Sequence, residues 1–283
     1  MKFNALRTFG LFITAVLTVM TISCRKNSDK TSPTEAAENN AFAEAQFNDV
    51  TTLVDQAAVS GSVTFGASGV AGSNGNNGVL GSNCVTVTVD TVSSPRSITI
   101  DFGSSNCLCL DNRLRRGKII ATYSGKYKDA GTVITVGFDN YYVNEFKIAG
   151  TKKVTNQGLN QNGKLVYKVE VTGQVTRPFG GTYSWSSTRF REWKEGSLTP
   201  INILDDVYGI TGEANGTTVD GNTYTINISQ ELIRRMNCKW FESGKISLSP
   251  SGLPTLTLDY GSSGCDANAM INVLGNAYPI VLQ

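Results

Sequence analysis

Short runs in which apolar and polar residues alternate dominate the chain from residue 61 onward. Val85 to Val89, Ser97 to Phe102, Lys118 to Tyr123, Thr132 to Val136, Leu165 to Val171, Thr223 to Ile228, Lys245 to Leu248 and Thr255 to Leu258 are such runs. Each puts its apolar side chains on one face of an extended segment, as a half-buried strand does. Asn162-Gly163 and Asp220-Gly221 fall between runs and fit type I′ hairpin turns, whose central positions need positive φ. Ser73 to Asn83, rich in Gly and Asn, reads as a loop. The expectation is an all-β antiparallel sheet meander over 60–283, either a sandwich or an open half-barrel.

One segment breaks the alternation. Ser32, Pro33 and Glu35 supply an N-cap, a proline at the first helical position and an acid in the first turn, where backbone donors are otherwise left free. Phe47, Val50, Val54 and Ala57 then recur at intervals of three and four, which predicts one N-terminal helix over 33–59 with a single apolar stripe. Asn39 and Asn40 mark a break within it, and its expected role is a structural cap on the β domain.

Ahead of the helix, Lys2 and Arg7 precede an uncharged run from Thr8 to Ser23 that ends at Cys24. The run is short for a membrane span and fits an export signal. It resembles a bacterial lipoprotein signal, in which the chain is cut after Ser23 and Cys24 is lipidated. Thr21 stands where such signals usually carry leucine. The chain then divides into a signal peptide over 1–23, a flexible polar tether over 24–32, the helix and the β domain, with the membrane as partner through the lipid anchor.

Composition narrows the chemistry. The sequence has 25 basic and 23 acidic residues, but Lys2 and Arg7 both lie in the signal, so the processed chain is balanced. No global field draws it to phosphate polymers, and no nucleic-acid partner is expected. Histidine is absent, which excludes Ser-His-Asp and Cys-His mechanisms and removes the commonest zinc ligand. No metal site and no cofactor is expected.

The chain also repeats itself. Ile98-Thr99-Ile100-Asp101-Phe102-Gly103-Ser104-Ser105-Asn106-Cys107 is matched by Leu256-Thr257-Leu258-Asp259-Tyr260-Gly261-Ser262-Ser263-Gly264-Cys265, and each copy has a cysteine upstream, Cys84 and Cys238. A shorter echo sets Ile148-Ala149-Gly150 against Ile210-Thr211-Gly212. With Cys24 lipidated, five cysteines remain, an odd number for an oxidising compartment. The internal duplication suggests the disulfides Cys84 with Cys107 and Cys238 with Cys265, leaving Cys109 free, although Cys84 has Cys109 as a second choice.

Other constellations each carry a plain reading beside a functional one. Asp101-Phe102-Gly103 spells the magnesium tripeptide of protein kinases, but the other kinase motifs are missing and a strand-end turn accounts for it. Asp205 with Asp206, Glu192 with Glu195, and Asp139 are the acids from which a glycan hydrolase would draw its pair; solvated surface acids are the plain alternative. Tyr183, Trp185 and Trp193 share one parity with Arg189 and Arg191, so they offer a ligand-binding aromatic row on a wet face or, more plainly, core. Arg113, Arg115, Arg116 and Lys118 form a basic cluster suited to anionic headgroups or to solvent.

Four segments carry a family likeness: Asp101-Phe102-Gly103 with its cysteines, Arg115-Arg116-Gly117-Lys118-Ile119, Tyr141-Tyr142-Val143 with Gly150-Thr151, and Asp259-Tyr260-Gly261 with Cys265-Asp266. On these, residues 40 to 283 resemble a family of β-rich lipoproteins of Bacteroidota. The resemblance implies a lipid anchor in the outer membrane and brings no catalytic residues with it. The mixed charges of Arg25, Lys26 and Asp29 leave the leaflet open. The reading is a cell-envelope structural or ligand-binding protein without catalysis, its ligand a glycan or a lipid; the alternative is a glycan hydrolase using paired carboxylates.

Overall fold

The structure is a computed structural model and describes residues 33–60, 79–199, 203–238, 240–262 and 264–281. The expected signal, Cys24, the tether and most of the Gly/Asn-rich loop lie outside these residues. The alternating runs become strands of one 14-stranded antiparallel sheet. In chain order these are β1 (Thr86–Asp90), β2 (Arg96–Asp101), β3 (Cys107–Leu108), β4 (Leu114–Tyr123), β5 (Val133–Val143), β6 (Phe146–Leu159) and β7 (Leu165–Thr176). There follow β8 (Thr182–Glu195), β9 (Val207–Thr217), β10 (Thr223–Arg235), β11 (Ser243–Pro250), β12 (Leu256–Asp259), β13 (Asn268–Val273) and β14 (Asn276–Val281). Spatial order follows chain order, except that short β3 pairs only with β4 and β2 takes its place in the row. Each run named above lies in a strand to within a residue at its ends.

The sheet stays open, with β1 at one end of the row and β14 at the other, and a second sheet, as a sandwich requires, is not formed by the described residues. Burial alternates along the strands, as in β8, where Tyr183, Trp185, Ser187, Arg189 and Trp193 are buried and their neighbours are more exposed. One face therefore holds the core, and α1 (Pro33–Ser60) lies on it. Ala36, Ala43, Phe47, Val50, Leu53, Val54, Ala57 and Ala58 of the helix are all buried. The helix thus fills the inside of the sheet as well as capping it.

Asn39 and Asn40 do not break α1. Both are buried, and their side chains accept hydrogen bonds from Arg177 (2.9 Å) and from the Trp185 indole (2.7 Å), so partners from the sheet override their weak helix preference.

The sheet curls around α1. Glu44 reaches Arg189 on β8, and Asp49 reaches Arg115 on β4. These helix positions are separated by about 7.5 Å along the axis, whereas four strand steps in a flat sheet would cover about 19 Å. Glycines permit the bending: Gly150 and Gly212 have φ of 121° and 119°, and a Cβ at either would collide with a backbone carbonyl of the neighbouring strand, Thr172 or Thr188.

Two sequence expectations need correction or refinement. At Asn162-Gly163 and Asp220-Gly221 only the glycine takes positive φ, 70° and 82°. Asn160 and Thr218 accept from these glycines and donate to Lys164 and Asn222, which is a type I turn followed by a left-handed glycine, with one more residue than a type I′ hairpin. The repeated segments do share a local structure. Asp101 and Asp259 each accept from the backbone of the glycine two residues on (2.8 and 2.9 Å), and each pairs with a lysine on the adjacent strand, Lys118 or Lys245. The chain order of the two strands is reversed, with β2 before β4 in the first case and β12 after β11 in the second.

Candidate functional site

The seam between α1 and the sheet holds most of the buried polar side chains. Acids on the helix meet bases on the strands along its length: Glu35 with Arg177 (3.3 Å), Glu44 with Arg189 (3.4 Å) and Asp49 with Arg115 (2.8 Å). Arg115 is fully buried and also grips Asp111 through both terminal nitrogens at 2.7 Å. Such two-pronged pairing gives geometry as well as charge neutralisation.

Further along the helix the pattern loosens into a cavity of about 30 Å³, walled by Thr51, Asp55, Tyr127, Lys152 and Arg191 with Val54, Ile134, Val136, Val154 and Val169. Lys152 is buried and donates to the Phe47 carbonyl (2.8 Å) and the Thr51 hydroxyl (2.5 Å). The Arg191 guanidinium lies over the Tyr208 ring at 3.6 Å. No described cation comes within ion-pair distance of Asp55. Burial pushes its carboxyl up to about 7, against the opposing pull of Arg191 and Lys152. Burial, aided by the Arg191 charge, brings the Lys152 ammonium down to about 7. The cavity has room for about one or two water molecules, so it can hold solvent and protons but no sugar or acyl chain.

Beyond Arg191 the network continues through Asp206, which accepts from the Trp193 indole (3.0 Å) and the Tyr208 hydroxyl (3.1 Å). Burial raises the Asp206 carboxyl despite these two bonds. Its neighbour Asp205 accepts from Thr199 at 2.8 Å. Glu192 takes Asn160, Glu195 faces Arg235 at 3.4 Å, and Asp139 accepts from Asn140. Each acid that a hydrolase reading singled out is thus engaged in a local structural contact.

The aromatic row is not a binding platform. Tyr183, Trp185 and Trp193 are each no more than 2% exposed. Trp185 stacks on Phe47 with ring centroids 5.7 Å apart, so helix side chains cover the face on which a sugar would sit. Arg189 and Arg191 share that face but turn inward toward α1. The basic cluster is likewise spent: Arg113 and Arg115 on Asp49 and Asp111, Arg116 on Glu145 at 2.8 Å, and Lys118 on Asp101 at 2.9 Å. Sequence reasoning did not single out Asp55 and Lys152, because neither sits in a motif and only the fold brings them together.

The cysteines pair as Cys84–Cys107 and Cys238–Cys265, with Cα separations of 5.7 and 5.6 Å, and Cys109 stays free and buried. Among the described residues no cluster of His, Cys, Asp or Glu could hold a metal ion, and no helix is long and apolar enough to cross a membrane. No family model, curated protein or solved structure matches the chain.

Proposed function

We propose that the protein is a lipid-anchored module of the cell envelope, held to the outer membrane through Cys24, whose β domain acts as a structural or surface-binding element without catalysis. The observation that carries this reading is the pair of disulfides, Cys84–Cys107 and Cys238–Cys265, in a chain that opens with an apolar run ending at Cys24. Disulfides persist in oxidising compartments, which supports export. The packed seam under α1, where the cavity beside Asp55 and Lys152 holds about 30 Å³, favours a rigid body whose contacts are made by its outer surface and loops.

The address is tested by Cys24→Ser in the native host. Release from the membrane fraction, or accumulation of an unprocessed form, is expected. Unchanged membrane association and gel mobility would remove the anchor. For the chemistry, the purified protein should turn over no member of a broad panel of polysaccharides and esters; hydrolysis abolished by Asp205→Asn with Asp206→Asn would replace this reading with the glycan hydrolase.

A further inference from the structure

In an antiparallel meander successive turns fall alternately on two opposite rims of the sheet. One rim carries the β2–β4 loop, the β7–β8 turn and the β13–β14 turn; the other carries the β1–β2 and β8–β9 loops. Both bear exposed apolar side chains. Phe179, Leu108, Leu110 and Leu274 stand on the first rim, and Val92, Leu198 and Leu204 on the second. Apolar exposure alone therefore does not choose between them.

The path of the chain does. Arg177, at the foot of the β7–β8 turn, donates to Glu35 at 3.3 Å and Asn39 at 2.9 Å, so α1 starts beside the rim that carries Phe179. Cys24 precedes Pro33 by nine positions, a length that can span at most about 30 Å when fully extended. Strands such as β8, with 14 residues, run about 45 Å from rim to rim. An anchor at Cys24 is too short to pass along the sheet and bring the far rim to a bilayer, whereas the near rim lies within its reach.

The near rim is also well formed for the purpose. Phe179 is fully exposed at the tip of a turn closed by Arg177 N–H to the Gly181 carbonyl (3.0 Å) and Gly180 N–H to the Arg177 carbonyl (3.1 Å). The loop with Leu108 and Leu110 is held by the Cys84–Cys107 disulfide, by the Ser82 hydroxyl on the Leu108 carbonyl (3.0 Å) and by Asp111 on Arg115. Apolar tips fixed in this way lose little further freedom on docking.

Resting on the lipid-anchor reading, we infer that the rim bearing Phe179, Leu108 and Leu110 is a membrane-docking surface that sinks these side chains into the phospholipid leaflet holding the acyl chains of Cys24. The anchor supplies attachment, and the apolar tips fix the orientation of the domain. Its far rim, with the β8–β9 loop, then faces away from the bilayer.

The test uses the full-length protein, isolated from membranes and reconstituted into phosphatidylcholine–phosphatidylglycerol vesicles with brominated acyl chains. Phe179→Trp and, separately, Leu110→Trp should add emission that the brominated lipid quenches at least about twofold, since a ring at the headgroup–acyl boundary lies about 5–10 Å into the bilayer. Leu198→Trp on the far rim should be unaffected. Equal or greater quenching at Leu198→Trp overturns the inference, as does the absence of quenching at both near-rim positions in protein that sediments with the vesicles. The mass of the Cys24 peptide separates the two layers of argument: protein without acyl mass that stays in the supernatant overturns the anchor itself, and the docking surface with it.

Discussion

Phe47 sits against β7 where Gly173 leaves room for it: a Cβ at that glycine would collide with the phenyl ring. Gly173 has an ordinary strand backbone, so the constraint is one of space alone. Gly173→Ala should cost about 1–3 kcal/mol, as overpacking does, and Phe47→Leu in the same chain should return part of it; urea unfolding measures both. At Asp55 the issue is protonation. The unfolded carboxyl ionises near 3.8, whereas the folded one holds its proton to about 7. Between those values the folded state binds the extra proton, so stability falls as pH rises through that window, and the penalty is complete above 7. Lys152 has the opposite sense: its penalty is complete below about 7 and lifts as pH rises toward 10.5. Asp55→Asn should therefore gain stability relative to the parent by roughly 1–3 kcal/mol more at pH 8 than at pH 5. An unchanged difference between the two pH values would remove the buried, neutralised carboxyl. Neither residue could be picked out in the sequence, because a pKa shift is made by the neighbours that folding supplies. The parity of Tyr183, Trp185 and Trp193 was legible, but the side they face was not. Arg189 and Arg191 on the same side pointed to water, whereas Glu44 meets Arg189 at 3.4 Å from α1 and Arg191 is laid over Tyr208.

At the scale of elements, α1 shows why helix starts read more easily than helix roles. The start signature is a local matter of Ser32, Pro33 and Glu35, and the described helix runs over Pro33–Ser60. Its role depends on long-range pairs. Asn39 and Asn40 resemble a break until Arg177 and Trp185 take them up. The same distinction applies to strands. Runs with aliphatic alternation, such as Ser97 to Phe102, stand out, whereas β8 and β9 carry Ser187, Arg189 and Gly216 at buried positions, where Arg189 meets Glu44 of α1 and Gly216 makes room for Tyr224. The strongest of those fastenings is Arg115, which ties β4 to Asp49 of the helix and Asp111 of its own loop while fully buried. Arg115→Met leaves Asp49 and Asp111 with only the more exposed Arg113 as a partner, and should cost up to about 3–5 kcal/mol, the usual penalty for breaking a buried ion pair from one side. Adding Asp49→Asn and Asp111→Asn should recover most of that loss, because a neutral seam no longer contains an uncompensated charge. A triple variant as unstable as the single one would show that Arg115 acts through its packing.

For the whole molecule, the sheet and the helix have to be considered together. The sheet has two free ends, β1 and β14, and its disulfides lie on opposite rims, Cys84–Cys107 beside β3 and Cys238–Cys265 between the β10–β11 and β12–β13 loops. They fasten loops and do not close the sheet. What makes the curled face stable is α1, whose Phe47, Val50, Leu53, Val54 and Ala57 complete the core with Ile98, Ile119, Val171, Trp185 and Leu248. Without it those strand residues would line an open trough in which Arg115, Arg177 and Arg189 lack the helix acids that now face them. An exposed apolar trough of that size is an aggregation surface. A chain beginning at Val79 should therefore lose cooperative unfolding in urea and gain binding of a hydrophobic dye, even with both disulfides formed. Supplying residues 31–60 as a separate peptide should restore part of the transition, with a midpoint that rises with peptide concentration as linkage requires. A truncated chain that unfolds cooperatively at the parent midpoint would mean that the sheet holds itself, and that the helix is an accessory on a finished fold.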